Sequence, residues 1–532
     1  MYPLYNLINS QKKIIIFNIN RIDVALILFS LIFASIFGVG YFGFQTGDHD
    51  KNQMIFKELI VRDWPVIFPE NQVNNQILSY PIGFFIFPAL VGKKFGWLLG
   101  NIFLFLSHAT GIALVLLWII RLLKSKMAIL FFILFGGFDI IGELVFNRFQ
   151  FSLGTHIEWW TSHTFLQYSS FATVLSWSAQ HFSAQFLGVC IIYYLIQARM
   201  FRYLLYVISL IAFWSHFTLI GYAIFAPLLF KNRRIKDVIF TFNSFAIIFI
   251  CVLAIFYLSK DQSSIPRGFL WSYWDFNLYG QKFIAFYLLE FLILSLFLFF
   301  HKSILSKEDF ILLVSATLML AILPFYKIGW SNDFSMRGSG PPLFIIYLIS
   351  MKQLQIFIGS GKKISSSILL LILLIGSFSG LSELYRQVNL SFKENKFYIL
   401  NITSGDYHRG LSNDNKCILI KNNNEDELKN IAFIVIQGRD YNFDKIVPGL
   451  SQHNLSLCVK DRINIRFPDV DVYRIDVMLF NKNDKEILGT RSILNFREID
   501  DVNSISSRWP EQYTGDGDSK FAKYLMRKNN VD

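Results

Sequence analysis

A chain of 532 residues that is 53% hydrophobic and 17% charged, with 57 Phe and a mean hydropathy of +0.43, is too apolar for an ordinary soluble globular protein. The formal charge of +12 does not indicate a nucleic-acid partner, because the basic excess sits in short clusters between apolar runs. These clusters are QKK with Arg21, RLLKSK at Arg121 to Lys126, RMFR at Arg199 to Arg202, KNRRIK at Lys231 to Lys236, and GKK ending at Lys363, and they mark cytoplasmic flanks of a polytopic membrane protein.

The first apolar stretch, Val24 to Phe44, is too long for a cleavable signal and reads as an uncleaved anchor that delivers the next loop to the outside. That loop, Gly43 to Pro81, places Asp48, His49 and Asp50 where about 20 apolar residues run out. An aspartate dragged into hydrocarbon costs several kcal/mol, so acids at this depth sit in the water layer or face a polar cavity. A solvated helix end and a functional site are both compatible with the position alone. MIFKELIVRDW has helical spacing and is expected to lie flat on the membrane until Pro65 and Pro69 break it. LSYPIGFFIFPALVGKKFG, which carries Lys94, is too short and too interrupted for a simple span, and a long helix follows from Trp97 to Ile120.

The third span, Ala128 to Phe146, carries Asp139 and Glu143 one helical turn apart, so both should turn to the bundle interior or to an aqueous cavity. The outer loop Asn147 to Phe186 is rich in Trp, His and amide side chains. Trp159, Trp160 and Trp177 read individually as an aromatic belt, whereas His156, Glu158, Gln180 and His181 are poor anchors. A span at Leu187 to Ala198 precedes Tyr203 to Phe230, which is broken at Trp214 to His216 and predicts a pair of short helices or a re-entrant hairpin. Further spans are predicted at Val238 to Leu258, Phe283 to Phe300, Phe310 to Phe325, Leu343 to Phe357 and Ser365 to Ser382. Two outer loops lie between them, Ser259 to Gln281 and Gly329 to Phe344. In the second, Arg337 is either a bidentate phosphate ligand or an arginine snorkelling to the interface.

After residue 384 the composition becomes that of a soluble protein, with strand-like stretches CILIK, NIAFIVIQ, INIRF and YRIDVMLF between Asn/Asp/Gly-rich turns. Cys190 and Cys251 fall in apolar segments, while Cys417 and Cys458 would be free to form a disulfide if this part is outside the cytoplasm. The fold class is therefore a polytopic α-helical membrane protein of about 10–12 membrane helices over residues 1–384, with a C-terminal, mainly β, extracytoplasmic domain over residues 385–532.

This layout resembles the GT-C superfamily of integral-membrane glycosyltransferases. The matching residues are Asp48 and Asp50 in TGDHD just after the first span, the segment LSYPIGFFIFPALVGKKFG closing that loop, and Glu158 and His181 in HIEWW and WSAQH after the third span. GWSNDFSMRGSGPPLF is similar to the segment before a late span in uncharacterised bacterial relatives. Signatures of the oligosaccharyltransferase or aminoarabinose-transferase type are absent, which leaves donor and acceptor open.

The resemblance implies an inverting transfer of a sugar from a polyprenyl-phosphate donor to a cell-envelope acceptor, whether glycolipid, glycan or protein, at the outer face of a bacterial cytoplasmic membrane. Such chemistry needs a carboxylate to take the acceptor's proton and a cation to steady the departing phosphate. Asp48 or Asp50 is the expected base, the two sharing a proton or a divalent cation such as Mg or Mn. Arg337 is the expected phosphate ligand, with His181 and Lys94 as lesser candidates; Glu158 and Asp139 are expected to position the acceptor or to complete a metal site, and His156 to bind substrate. Other classes remain open: a lipid-linked glycan polymerase or ligase, which would rely chiefly on arginines, and a non-catalytic transporter or assembly protein. Glu290 is the clearest mid-span acid in favour of transport.

Overall fold

The computed structural model describes residues 20–44, 46–66, 77–78, 80–146, 153–158, 165–231, 267–273, 276–329 and 332–393, together with short strand segments between 417 and 515. Among these residues seven helices are long and apolar enough to cross a membrane, so the chain is a polytopic helical protein.

The first helix, α1 (Arg21–Ala34), is started by a capping box: the Asn20 side chain accepts from the Asp23 amide at 3.0 Å and Asp23 accepts from the Asn20 amide at 3.1 Å. It ends well before the expected Phe44. Gly38, Gly40 and Gly43 adopt left-handed conformations (φ 80°, 66° and 80°) and fold the chain back, and a Cβ on Gly43 would lie 2.5 Å from the Ser35 carbonyl oxygen.

The next helix, α2 (Gly47–Val61), starts earlier than expected and takes Asp48 and Asp50 into its first turn, where negative charge suits the helix dipole. Its apolar residues pack on protein. Ile55, Phe56, Leu59 and Ile60 are buried against Trp97 and Phe85, and even Lys57 and Glu58 are covered. α3 (Ile86–Phe95) and α4 (Trp97–Leu123) form a close pair at Gly92 and Gly100, where a Cβ on Gly100 would come within 3.0 Å of the Gly92 Cα.

The expected third span is present as Met127–Phe146, one of the seven, with a break inside it. α5 (Met127–Leu134) and α6 (Asp139–Phe146) are separated by an unwound stretch through Gly136 and Gly137, and the Phe138 amide bonds the Leu289 carbonyl at 3.1 Å. The last helix packs directly on this break. Cβ atoms added at Gly376 and Gly380, four residues apart, would sit 2.7 Å from the Gly136 carbonyl and 2.6 Å from the Leu134 carbonyl.

A short helix, α7 (Phe171–Trp177), leads into α8 (Ala179–Gln197). This helix starts two turns before the expected Leu187 and contains a π turn at Ser183–Leu187. Two short helices follow as expected, α9 (Leu204–Trp214) and α10 (His216–Leu229), broken at the extended Ser215. The expected span at Val238 to Leu258 lies outside the described residues. Then come α11 (Tyr279–Phe300), α12 (Lys307–Ile322), α13 (Asp333–Gly338), α14 (Gly340–Gly359) and α15 (Lys363–Lys393). The expected domain boundary after residue 384 falls inside α15, about two and a half turns before its end.

Hydrogen bonds tie the helix ends into two faces. At the basic end Arg121 pairs with Asp23 at 3.1 Å and His301 meets Ser365 at 3.2 Å. At the other end Thr46 reaches the Ser176 carbonyl at 3.3 Å, Phe44 bonds Ser391 at 2.9 Å and Asn332 bonds the Phe165 carbonyl at 3.1 Å.

Beyond Lys393 the described residues are short antiparallel strands in two separate three-stranded pieces, plus Thr514–Gly515, which pairs with Ile77–Leu78; the packing that would join them into one β domain lies outside the described residues. Cys417 and Cys458 sit on strands flanking Arg462–Arg466, two strand spacings or roughly 10 Å apart. That exceeds the Cα separation of a disulfide.

The contact between α15 and the α5–α6 break gives a test. Gly376→Val is expected to cost about 1–3 kcal/mol and to lower the thermal midpoint in detergent. Gly359→Ala, where nothing lies within 4 Å of the added Cβ, should leave it unchanged.

Candidate functional site

The face opposite the basic ends gathers polar side chains from three parts of the chain. α2 contributes through its first turns. Thr46 donates its amide to His49 Nδ1 at 3.1 Å, and its hydroxyl reaches both that nitrogen and the Ser176 carbonyl. One turn later Asn52 donates to Gln180 Oε1 at 3.1 Å, and Gln180 in turn donates to the Tyr80 hydroxyl at 3.2 Å. The first loop and the segment after the third span are thus joined through a buried amide relay.

The second group is centred on Glu383 in α15. Its carboxylate accepts from Trp177 Nε1 at 3.1 Å, from Arg386 Nη2 at 2.5 Å and Nε at 3.2 Å, and from Gln387 at 3.4 Å, and His156 Nδ1 lies 3.2 Å away. The Arg386 guanidinium also stacks 4.9 Å over the Trp177 ring. Gly154 and Thr155 are held to Ser382 at 3.0 and 2.9 Å, which lays the loop strand along the helix.

Glu158 lies deeper. It accepts from the Ser170 amide at 2.9 Å, from Gln167 at 3.2 Å and from the Thr173 hydroxyl, and it is buried. Burial pushes its carboxyl up to about 7; the charge of His156 and the Ser170 and Thr173 hydrogen bonds hold it back, and Asp139 adds to the rise. For His156, burial pulls the imidazole down, but the Glu383 hydrogen bond and the nearby carboxylates outweigh it, so its affinity for the proton is raised. Asp139 is buried as expected and accepts from Ser379 at 2.6 Å.

The candidate residues divide accordingly. Asp139, Glu158 and His156 converge with Glu383, and Asp48, half-buried, stands in the turn of α2 that is bonded to Ser176. His181 is buried next to Gln180 in the first turn of α8, not in a loop. Asp50 follows Asp48 two positions later in the same helix. Among the described residues no three His, Cys, Asp or Glu side chains gather as a metal site.

Lys94 is exposed at the end of α3, with its ammonium 5.2 Å over the Phe95 ring, and does not join the group. Arg337 is buried in α13, 3.4 Å from Asp333, and is bonded to neither Glu158 nor Glu383. Trp177, expected in an aromatic belt, is instead a hydrogen-bond donor to a buried carboxylate. Sequence reasoning missed Glu383 and Arg386, which lie just past the expected end of the last span at Ser382. The signal was present: an acid and an arginine three apart, continuing the helical period of an apolar run.

The raised Glu158 value predicts a pH effect. In the folded chain Glu158 keeps its proton to higher pH than in the unfolded chain, so the stability it contributes is complete below the ordinary carboxylate range and is lost as pH rises through about 7. The raised His156 acts in the same direction, with Asp139, Glu383 and Arg386 as the other charged groups facing the pair. The thermal midpoint should fall between pH 5 and 8, and Glu158→Gln should flatten that dependence. No known protein family, curated protein or solved structure matches the chain.

Proposed function

We propose that the protein is a membrane glycosyltransferase that moves a sugar from a polyprenyl-phosphate donor to a cell-envelope acceptor, at the face that carries α2. One observation supports this reading above the others: polar residues from the first loop, the loop after the third span and the end of α15 meet at one end of the bundle, although Phe44 and its partner Ser391 are 347 positions apart. A buried, hydrogen-bonded polar group at the end of an apolar bundle is costly to maintain and is a usual feature of a substrate site.

In the proposed reaction the acceptor hydroxyl loses its proton to a carboxylate as its oxygen attacks the anomeric carbon. The bond from that carbon to the donor phosphate breaks and the phosphate leaves with the electron pair. Asp48, partly open at the start of α2, is the base. Glu158, with its carboxyl near 7, is suited to hold or relay the proton. Arg337 is the phosphate ligand: its ion-pair partner Asp333 is 41% exposed, so the pair is weak and a phosphate can replace it.

The proposal places the basic helix ends on the cytoplasmic side of a bacterial membrane and residues after Lys393 on the outer side, where a β-rich domain would stand beside the site.

The test is transfer from a labelled polyprenyl-phosphate sugar in proteoliposomes, together with glycolipid profiles of cells with and without the gene. Asp48→Asn is expected to reduce transfer by about 10²-fold or more with expression intact, and Arg337→Ala to weaken donor binding. Full transfer by both Asp48→Asn and Asp50→Asn would remove the proposed base, and unchanged donor affinity in Arg337→Ala would remove the phosphate assignment.

A further inference from the structure

A cavity of about 550 Å³ opens at the basic end of the bundle, away from the group around Glu383, where α8, α12 and α14 meet. Its floor is charged but neutral in sum. Lys352, in the body of α14, donates to both Asp309 oxygens at 3.3 and 3.2 Å, and Asp309 also accepts from the Tyr193 hydroxyl at 2.5 Å. The Lys352 ammonium lies 4.7 Å from the Tyr193 ring centre, so the floor is a preformed and nearly saturated ion pair.

The rim differs. Arg199, in the short link after α8, and Glu308, in the first turn of α12, both line the cavity and are exposed, and neither makes an ion pair among the described residues. The cavity therefore offers one cation and one anion held apart over a neutral floor. A simple anion would satisfy Arg199 but stand against Glu308 and Asp309; a simple cation would have the reverse difficulty. A group carrying a phosphate and an ammonium a few bonds apart satisfies both rim charges at once and keeps the site neutral. The position, level with Arg199 and Lys302 among the basic helix ends, is where lipid headgroups lie against a membrane protein. The volume falls in the usual range for small-ligand sites, roughly 300–1,000 Å³.

We infer that this cavity binds a zwitterionic amine-phosphate group, with Arg199 taking the phosphate and Glu308 the ammonium, and that its source is the ethanolamine phosphate headgroup of a lipid in the leaflet on the basic side. The inference does not rest on the sugar-transfer reading, since no residue of the Glu383 group lines this cavity.

Purified full-length protein in detergent micelles is titrated with short-chain phosphatidylethanolamine, short-chain phosphatidylglycerol and free O-phosphoethanolamine, with binding read by native mass spectrometry and by the thermal midpoint. The ethanolamine lipid is expected to bind about tenfold more tightly than the glycerol lipid, which lacks the ammonium. Arg199→Ala and Glu308→Gln should each weaken it by about the same factor, while leaving the midpoint of the lipid-free protein unchanged because both side chains are exposed. O-phosphoethanolamine binding weaker than the lipid supports the headgroup as the source. Binding as tight as the lipid's overturns that source. Equal binding of the two lipids, or unchanged affinity in both variants, overturns the site itself.

Discussion

The end of this bundle that bears α2 depends on one buried carboxylate. Glu383 sits where an apolar helix is covered by protein, and an ion there is tolerable only if donors replace the water it has lost. Trp177, Arg386 and Gln387 supply those donors, with His156 against the remaining oxygen. Two of these residues, His156 and Trp177, come from the segment after the third span. The electrostatic demand of one side chain thus fixes that segment along the last helix. Removing a partner from such an arrangement costs about 3–5 kcal/mol because an uncompensated charge is left behind.

That demand can be met only because the helices around it depart from regular geometry. α5 and α6 are separated at Gly136 and Gly137, and α15 presents Gly376 and Gly380 to the break, so backbone approaches backbone where side chains would hold the helices apart. The break frees the Phe138 amide to bond Leu289 within the π turn of α11, and it sets Asp139 at the start of a new helix, facing Ser379. At the other side of the same face, the left-handed glycines after α1 turn the chain back early and let α2 dock on α3 and α4. The acids of the first loop thereby become part of the protein's own polar end.

The two ends of the bundle use charge differently. The end bearing α2 concentrates buried carboxylates, amides and histidines in hydrogen-bonded groups, an arrangement that tunes proton affinity, as the raised values of Glu158 and His156 illustrate. The basic end carries isolated pairs, Arg121 with Asp23 and Lys352 with Asp309, around a cavity whose rim charges are open. Apolar helices of full membrane length separate the two. Each end can therefore hold its own ligand without electrostatic interference from the other across roughly 30 Å of hydrocarbon thickness.

Much of the architecture was legible in the amino-acid sequence, because hydrophobicity and charge placement act locally along the chain. Among the described residues, runs of apolar residues specified most helices from Trp97 onward to within about two turns, although α15 runs about three turns past the expected Ser382; basic clusters specified a common end, and the break at Trp214 to His216 was visible from the length of the segment. The burial of Asp139 followed from its place in an apolar run. What only the tertiary structure decided was which polar residues meet. That Asn52 bonds Gln180, that Glu383 gathers His156 and Trp177, that Arg337 pairs with Asp333 and not with Glu383, and that Lys94 stands outside this group depend on how helices cross, and crossing is set by glycine contacts and helix breaks between segments hundreds of positions apart. Local periodicity carries no information on such distances.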